Sequence, residues 1–424
     1  MLTLVACISF SAPSLHADAV TDWNAALGVA QKASGQSGGN QSRFGAIMHA
    51  AVFDAVNGIA RGYTPYLVSG DTAPPGADAE AAGVQAAYRA CVTLYPAQTA
   101  VFEAQLVSSL ALLTATPEAI TAGRAWGESV AQEYLLWRST DGFRNSFSYL
   151  GTTQPGCWRT PSAGLSGVNV QFGTIRPFTL SSPTQFRPAP PYGSLDRLTA
   201  LASAAYAADL NEVQAIGSAI SVARTAAQTD IARFWHATDN ADLNAALRTI
   251  VPATYRLVDT ARLFALCNMA SCDATITVYD TKYAYNFWRP IDAIRLADTD
   301  NNPATESDPT WNSVIATPRH PEYPSAHSII SGALLGTAAL ILGDEQTFTL
   351  STPGWPSITR NFTKLSDASV EVGDSRVWIG FHFREACDVG LETGYEIAHH
   401  AVKHFLRAGY RGQSGDHLPW HGGH

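Results

Sequence analysis

The pattern of apolar residues predicts an all-α, bundle-like protein, and three observations carry that reading. Apolar residues recur at helical spacing over most of the chain, as in Phe44, Ile47, Met48, Ala51, Val52, Ala55, Val56 and Ile59. Strand-like alternation is rare, with residues 347–352 the one candidate for a short strand. Pro, Gly, Ser and Thr crowd the stretch from about Asn145 to Asp196, so a long irregular segment divides two helical ones.

The first convincing helix covers residues 43–59 and carries His49, Asp54 and Asn57, whose expected role is buried hydrogen bonding between helices. Further helices are expected at 78–95, 97–113 and 117–139, the last announced by Thr116-Pro117-Glu118 with proline at the first helical position. In the irregular segment, Trp158, Phe172, Phe178 and Phe186 would pack onto the body rather than float free. Helical patterning resumes at 198–209, 210–224, 228–235, 243–270, 274–295, 327–342 and 378–407. The domain reading is 1–17 as an export signal, 18–144 as an N-terminal bundle, 145–196 as a packing loop, 197–411 as a C-terminal bundle and 412–424 as a frayed His- and Gly-rich tail.

A chain of 424 residues with 46% hydrophobic and 15% charged residues has ample material for a core. Its net charge of −9 makes it a poor nucleic-acid scaffold, and basic residues that converge in it are informative. Residues 2–10 are apolar and the next few small and polar, like the second half of a secretory signal, so a periplasmic or secreted protein is expected. No other stretch is long and apolar enough to span a bilayer. The six cysteines form no paired C-x-x-C knuckles, which argues against structural zinc. Cys267 and Cys272 are compatible with a small disulfide or with two reduced thiols.

Three segments carry chemistry. The first, Lys282 to Pro290, sets Lys282 and Arg289 seven residues apart around Tyr283, Tyr285, Phe287 and Trp288. On one continuous helix they would lie roughly 10 Å apart on one face, with Pro290 perturbing the helix. The second, His320 to Ser328, contains Pro324 at the expected first helical position, then Ser325, Ala326 and His327. Free amides at a helix N-terminus, a hydroxyl and an imidazole suit an anion. The third, Ser375 to Arg384, holds Arg376 and His382, which face each other only if Asp374 or Ser375 caps a helix and lets Arg376 bend back. Each segment alone reads equally well as surface cations or a capped helix. Together they supply three permanent cations, two imidazoles and a hydroxyl, a combination suited to a dense oxyanion.

Lys-x6-Arg-Pro, Pro-Ser-x-His and Ser-Arg-x5-His, in this order, resemble the signature of vanadium-dependent haloperoxidases, which share fold and site with the phosphatidic-acid phosphatase type 2 superfamily. The likeness to bacterial haloperoxidase-like proteins extends to residues 43–57, 185–188 and 262–295. It implies two four-helix bundles and a vanadate (orthovanadate) cofactor, with phosphate able to take the same place. Lys282, Arg289, Ser325, Arg376 and the Ala326 amide would hold the oxyanion. His382 would ligate vanadium, or attack phosphorus in a phosphatase. His327 would be the acid/base and Lys282 would polarise peroxide. His320, with Trp288 nearby, would tune halide choice towards bromide or iodide. The substrates would be hydrogen peroxide, halide and a small organic acceptor. The oligomeric state is open, a homo-oligomer included.

Three departures stand out. Ala326 replaces the usual glycine, Ala386 replaces an aspartate that would orient His382, with Glu385 and Asp388 as substitutes, and Arg319 adds a cation before the second block. Two alternatives remain beside the haloperoxidase: a phosphatase working on phosphate monoesters through a phosphohistidine, and a non-catalytic oxyanion-binding protein.

Overall fold

The structure, a computed structural model, describes residues 18–161 and 164–409. The expected signal at 1–17 and the tail with His417, His421 and His424 lie outside the described residues. A helix not expected from the sequence comes first: α1, Ala19–Ser34, whose Asp18 forms a capping box with Thr21. Then follow α2 (Gly38–Ala60), α3 (Ala79–Leu94), α4 (Thr99–Leu112) and α5 (Pro117–Arg138), each within a few residues of the helix expected there. Asp78 and Thr116 cap α3 and α5 through their side chains.

The irregular segment packs as its aromatics suggest: Trp158 and Phe172 are buried, and its described residues form short 3-10 turns and isolated bridges. Asp273 clamps it by accepting the Phe178 and Thr179 amides and the Thr179 hydroxyl, each at 2.6 Å. After it come α6 (Arg197–Leu201), α7 (Ala204–Ile216), α8 (Ala226–Ala237), α9 (Asn240–Thr249), α10 (Leu257–Tyr285), α11 (Pro290–Arg295) and α12 (Ala326–Leu342). Two strands, β1 (Glu345–Leu350) and β2 (Arg360–Lys364), pair antiparallel with Phe348 opposite Phe362. The strand partner β2 was not anticipated. The chain ends in α13 (Leu365–Trp378) and α14 (Arg384–His404).

Four expectations are corrected. The helix expected at 243–270 breaks at 250–256, where Pro252 cannot donate to a helical ladder. Patterns expected at 243–270 and 274–295 meet in the 29-residue α10, which is buried on nearly all sides and so lacks a polar face to mark its register. The helix expected at 210–224 ends at Ile216, and Gly217 follows in contact with the Gly380 backbone, where a Cβ would stand 2.7 Å away. The helix expected at 378–407 begins only at Arg384, after a reversal at Gly380, whose φ is +82°, and α13, which ends at Trp378, was not expected. Asp54 and Asn57 also bind loops rather than helices, taking the amides of Tyr66 to Val68 and of Gly62 and Tyr63, though Asp54 bonds the Tyr134 hydroxyl of α5 as well.

α10 is the spine of the molecule. It packs against α2 on one side and against α12 and α14 on the other. Cys267 and Cys272 are buried free thiols within it. Among the described residues no helix is long and apolar enough to cross a membrane.

Candidate functional site

The three chemical segments converge at the C-terminal end of α10. The helix stops at Tyr285, and Asn286 takes a left-handed conformation with φ +51°. Lys282 and Arg289 therefore do not share a helical face: Lys282 sits in the last turn of α10, and Arg289 is the N-cap of α11 with Pro290 at its first position. The irregular segment holds this link in place, since the Trp158 amide donates to Asn286 O and the Trp288 amide to Gly156 O.

The second segment starts α12 two residues later than Pro324 at the first helical position would have it. Ala326, not Pro324, is its first residue, Ser325 is its N-cap, and the Ser325 hydroxyl accepts from the Ser328 amide and hydroxyl. The third segment is the linker after α13. Arg376 lies in the last turn of α13, so neither Asp374 nor Ser375 caps it. The chain then folds back, and Arg376 O receives the amides of both Phe381 and His382. A Cβ at Gly380 would lie 2.4 Å from Gly217 O, so this reversal requires glycine.

Lys282, Arg289, Ser325, Arg376 and His382 are all at most 2% exposed, and His320 is 8% exposed. None of the three cations has a carboxylate within salt-bridge distance among the described residues. Lys282 Nζ donates to the carbonyls of Pro321, Glu322 and Pro324. Arg289 donates to His320 O and Phe381 O, to His382 Nε2 at 3.0 Å and to His320 Nδ1 at 2.9 Å. Arg376 lies over the Phe381 ring, and its Nε and Nη1 are buried without a partner. Burial lowers all three below their ordinary values, Arg289 to about 10 and Arg376 to about 9. Unpaired buried cations are costly, and an anion is the partner that completes them.

The residue that sequence reasoning missed is Glu322. Its Oε1 lies 2.8 Å from His382 Nδ1 and also accepts the Phe383 amide. It takes the orienting place expected of Glu385 or Asp388: Glu385 instead accepts the Tyr192 amide. A guanidinium only donates, so Arg289 fixes His382 Nε2 as an acceptor and leaves the hydrogen on Nδ1, facing Glu322. Burial, with Arg289 and Lys282 adding to it, holds His382 well below the ordinary imidazole value, so the ring is neutral with a lone pair on Nε2. Burial pushes Glu322 up to about 8, against the pull of Lys282 and Arg289. One signal was available: Glu322 stands two residues after His320 between two prolines, a place where a buried carboxylate needs a partner.

Arg289, His320, Ala326, His327, Arg376 and His382 open onto one cavity of about 370 Å³. Lys282 and Ser325 stand behind its wall. Trp288 is packed in a separate core with Tyr206 and Phe383 and does not line it, and Arg319 is likewise absent from the wall while its carbonyl accepts the Val168 amide. The cavity is completed from afar by Ser37 to Gly39 at the start of α2, Asn169, Tyr279 and the α8–α9 corner from Trp235 to Asn240. His236, unremarked in the sequence, is on that corner.

A buried cradle of two arginines and a lysine, a neutral imidazole with a carboxyl group behind it, and a helix N-terminus together suit an oxyanion. A family model described as the VCPO second helical-bundle domain matches residues 262–409, which contain all three segments. Vanadium chloroperoxidase of Curvularia inaequalis is 35% identical over 86 residues, 18% of this chain. The match spans only 14% of that relative. The fold is similar to a bacterial vanadium-dependent iodoperoxidase, with TM-score 0.73 and 25% identity over 93% of this chain and 97% of the other. It is also similar to a bacterial vanadium-dependent chloroperoxidase in its apo form, with TM-score 0.67 and 16% identity over 85% and 91% of the two chains. Residues 262–409 thus resemble the second helical-bundle domain of vanadium haloperoxidases, and the chain shares their fold.

Proposed function

We propose that the protein is a vanadate-dependent haloperoxidase that oxidises iodide or bromide with hydrogen peroxide to hypohalous species. The observation that carries this reading is His382: a buried neutral imidazole, backed by Glu322, that points its lone pair among guanidinium groups whose ordinary partner is missing. Vanadate, shaped like phosphate but ready to accept a fifth ligand, would supply a Lewis-acid centre there. Arg289, Arg376 and the Ala326 amide would hold its oxygens and His382 Nε2 would ligate it, with Ser325 beneath them as the N-cap of α12. Lys282, fixed by three carbonyls, adds positive charge from behind the cradle. His327, on the cavity wall and kept neutral by burial and by Arg376, would accept the proton of incoming hydrogen peroxide. The preference for iodide or bromide rests on His320, which lines the cavity and bonds Arg289, so a polar ring weakens the field that chloride oxidation demands.

The test uses purified protein with and without orthovanadate. Peroxide-dependent oxidation of iodide and bromide that appears only with vanadate supports the reading. Hydrolysis of a phosphate monoester without halide oxidation replaces it by the phosphatase, and binding of both anions without either activity replaces it by a binding protein. His320→Phe is expected to raise chloride turnover relative to iodide, and an unchanged halide ranking removes His320 as the cause.

A further inference from the structure

The last turns of α14 carry two imidazoles that the oxyanion site does not use. His400 and His404 stand four residues apart on this helix, so their side chains lie on one face, one above the other. Their ring centroids are 4.7 Å apart, with the planes at 42°. Two imidazoles bound to one cation have this spacing. A metal–nitrogen bond of about 2.1 Å sets each ring centroid about 3.2 Å from the metal, and a right or tetrahedral angle then separates the centroids by about 4.5–5.2 Å. His400 is oriented from behind. Its Nε2 stands 3.1 Å from Thr179 O, and a carbonyl only accepts, so the hydrogen is on Nε2 and the lone pair on Nδ1. A bond from the far ring nitrogen to a backbone carbonyl is the usual support of a histidine that ligates a metal. Phe186 meets the His400 ring edge-on at 5.5 Å. Burial, with His404, His399 and Lys403 adding to it and the Thr179 bond opposing, holds His400 below the ordinary imidazole value, so protons compete weakly for its lone pair. His404 is exposed, and both rings line an open groove with Phe186, Tyr395 and Glu396.

We propose that His400 and His404 together bind one divalent transition-metal ion, Cu(II) most tightly. The site does not depend on the haloperoxidase reading. The choice of ion follows from the ligands. Among divalent first-row metals, affinity for nitrogen ligands peaks at Cu(II), above both Ni(II) and Zn(II). Among the described residues no third His, Cys, Asp or Glu completes a cage around the pair, so water holds the remaining positions. A structural zinc wants four protein ligands, whereas Cu(II) accepts two imidazoles with water in a square arrangement. The place of the pair gives the ion a structural consequence. Thr179 and Phe186 belong to the irregular segment, and Asp273 of α10 grips Thr179 from its other side through the amide and the hydroxyl. The ion thus binds where that segment is packed onto α14, and it requires both histidines in helical register. Binding that favours the folded chain in this way raises its stability.

The experiment uses the full chain carrying His417→Asn, His421→Asn and His424→Asn, so that the His-rich tail supplies no ligand. Cu(II) buffered with glycine is titrated into this protein, with calorimetry for the affinity and electron paramagnetic resonance for the ligands. One Cu(II) per chain, with hyperfine structure from two imidazole nitrogens, is expected, and Zn(II) is expected to bind more weakly. His404→Asn changes an exposed side chain and leaves the fold intact. It is expected to weaken Cu(II) binding by at least the roughly 10- to 100-fold that losing a supporting partner costs at metal sites. His399→Asn, next to the pair but on another face of the helix, is expected to leave the affinity unchanged. Cu(II) should raise Tm in the tail-substituted protein and not in its His404→Asn form. Absence of binding at one Cu(II) per chain, tighter binding of Zn(II) than of Cu(II), unchanged affinity in His404→Asn, or an equal loss in His399→Asn overturns the proposal.

Discussion

Glu322 and His382 share one proton, and where that proton sits decides what the imidazole can do. With the hydrogen on Nδ1 and the carboxylate behind it, Nε2 is a stronger donor of its lone pair, as in other carboxylate–histidine–metal arrangements. Glu322→Gln keeps a hydrogen-bond acceptor in place but, above about pH 8 where Glu322 is ionised, removes the charge, so the comparison is made there. Phosphate, held by charge alone, is expected to bind as tightly or more tightly in this variant. Vanadate, which also needs the nitrogen ligand, is expected to bind roughly 10- to 100-fold more weakly. Titration calorimetry with each anion reads the two affinities, and a parallel change in both would show that Glu322 does not act through His382. His382→Ala is expected to leave the protein folded and to abolish vanadate-dependent turnover, and full peroxidase activity in a folded variant would remove His382 from its role. The partner of His382 was hard to read because it comes from a different segment, 60 residues away. A motif shows what lies close along the chain. The three segments themselves were legible for that reason, and the structure brings their charged groups together.

At the scale of elements, the helices that begin with a side-chain cap and a clear apolar stripe were legible, as at Thr116-Pro117 for α5 and Asp78 for α3. α10 was legible only in pieces, since a helix buried on every side has no polar face to count from. The break at Gly380 was missed because its cause is tertiary: the close approach of Gly217. That contact makes a test. Gly380→Ala meets both a left-handed φ and a carbonyl 2.4 Å from the new Cβ. A loss of about 1–3 kcal/mol is expected by denaturant unfolding. Because the same reversal carries Phe381 and His382, phosphate affinity should fall with it. Unchanged stability and affinity would mean that the linker tolerates a side chain there and does not set the position of His382.

Over the whole molecule, folding and anion binding are linked. Any oxyanion that binds the native cradle and not the unfolded chain stabilises the fold, by about 2.7 kcal/mol at a hundredfold excess over Kd. Orthovanadate and phosphate are therefore expected to raise Tm, and phosphate in excess should slow reactivation of the apoprotein by vanadate. Core histidines act in the opposite direction. Burial lowers His49 to about 3, so the unfolded chain takes up a proton below its ordinary value of 6.5 that the folded protein refuses. This contribution to stability is complete above pH 6.5 and is lost as pH falls towards 3. His49→Gln should remove it: wild type minus variant is expected to decline by about 1.4 kcal/mol per pH unit over that window. A pH-independent difference would show that His49 is protonated in the fold.

The cavity wall is drawn from two parts of the chain, and this divides what each part can change. Residues 262–409 hold the cradle, so the proposed power to hold an oxyanion would travel with one compact stretch of sequence. Ser37 to Gly39, Asn169 and the α8–α9 corner, which close the cavity, lie outside it. Drift in those earlier residues alters which molecules fit without disturbing the groups that do chemistry. Relatives that keep the later stretch and diverge in the earlier one would thus inherit one reaction and explore many guests, and grafting the 235–240 corner between such relatives should move guest preference while leaving oxyanion affinity in place.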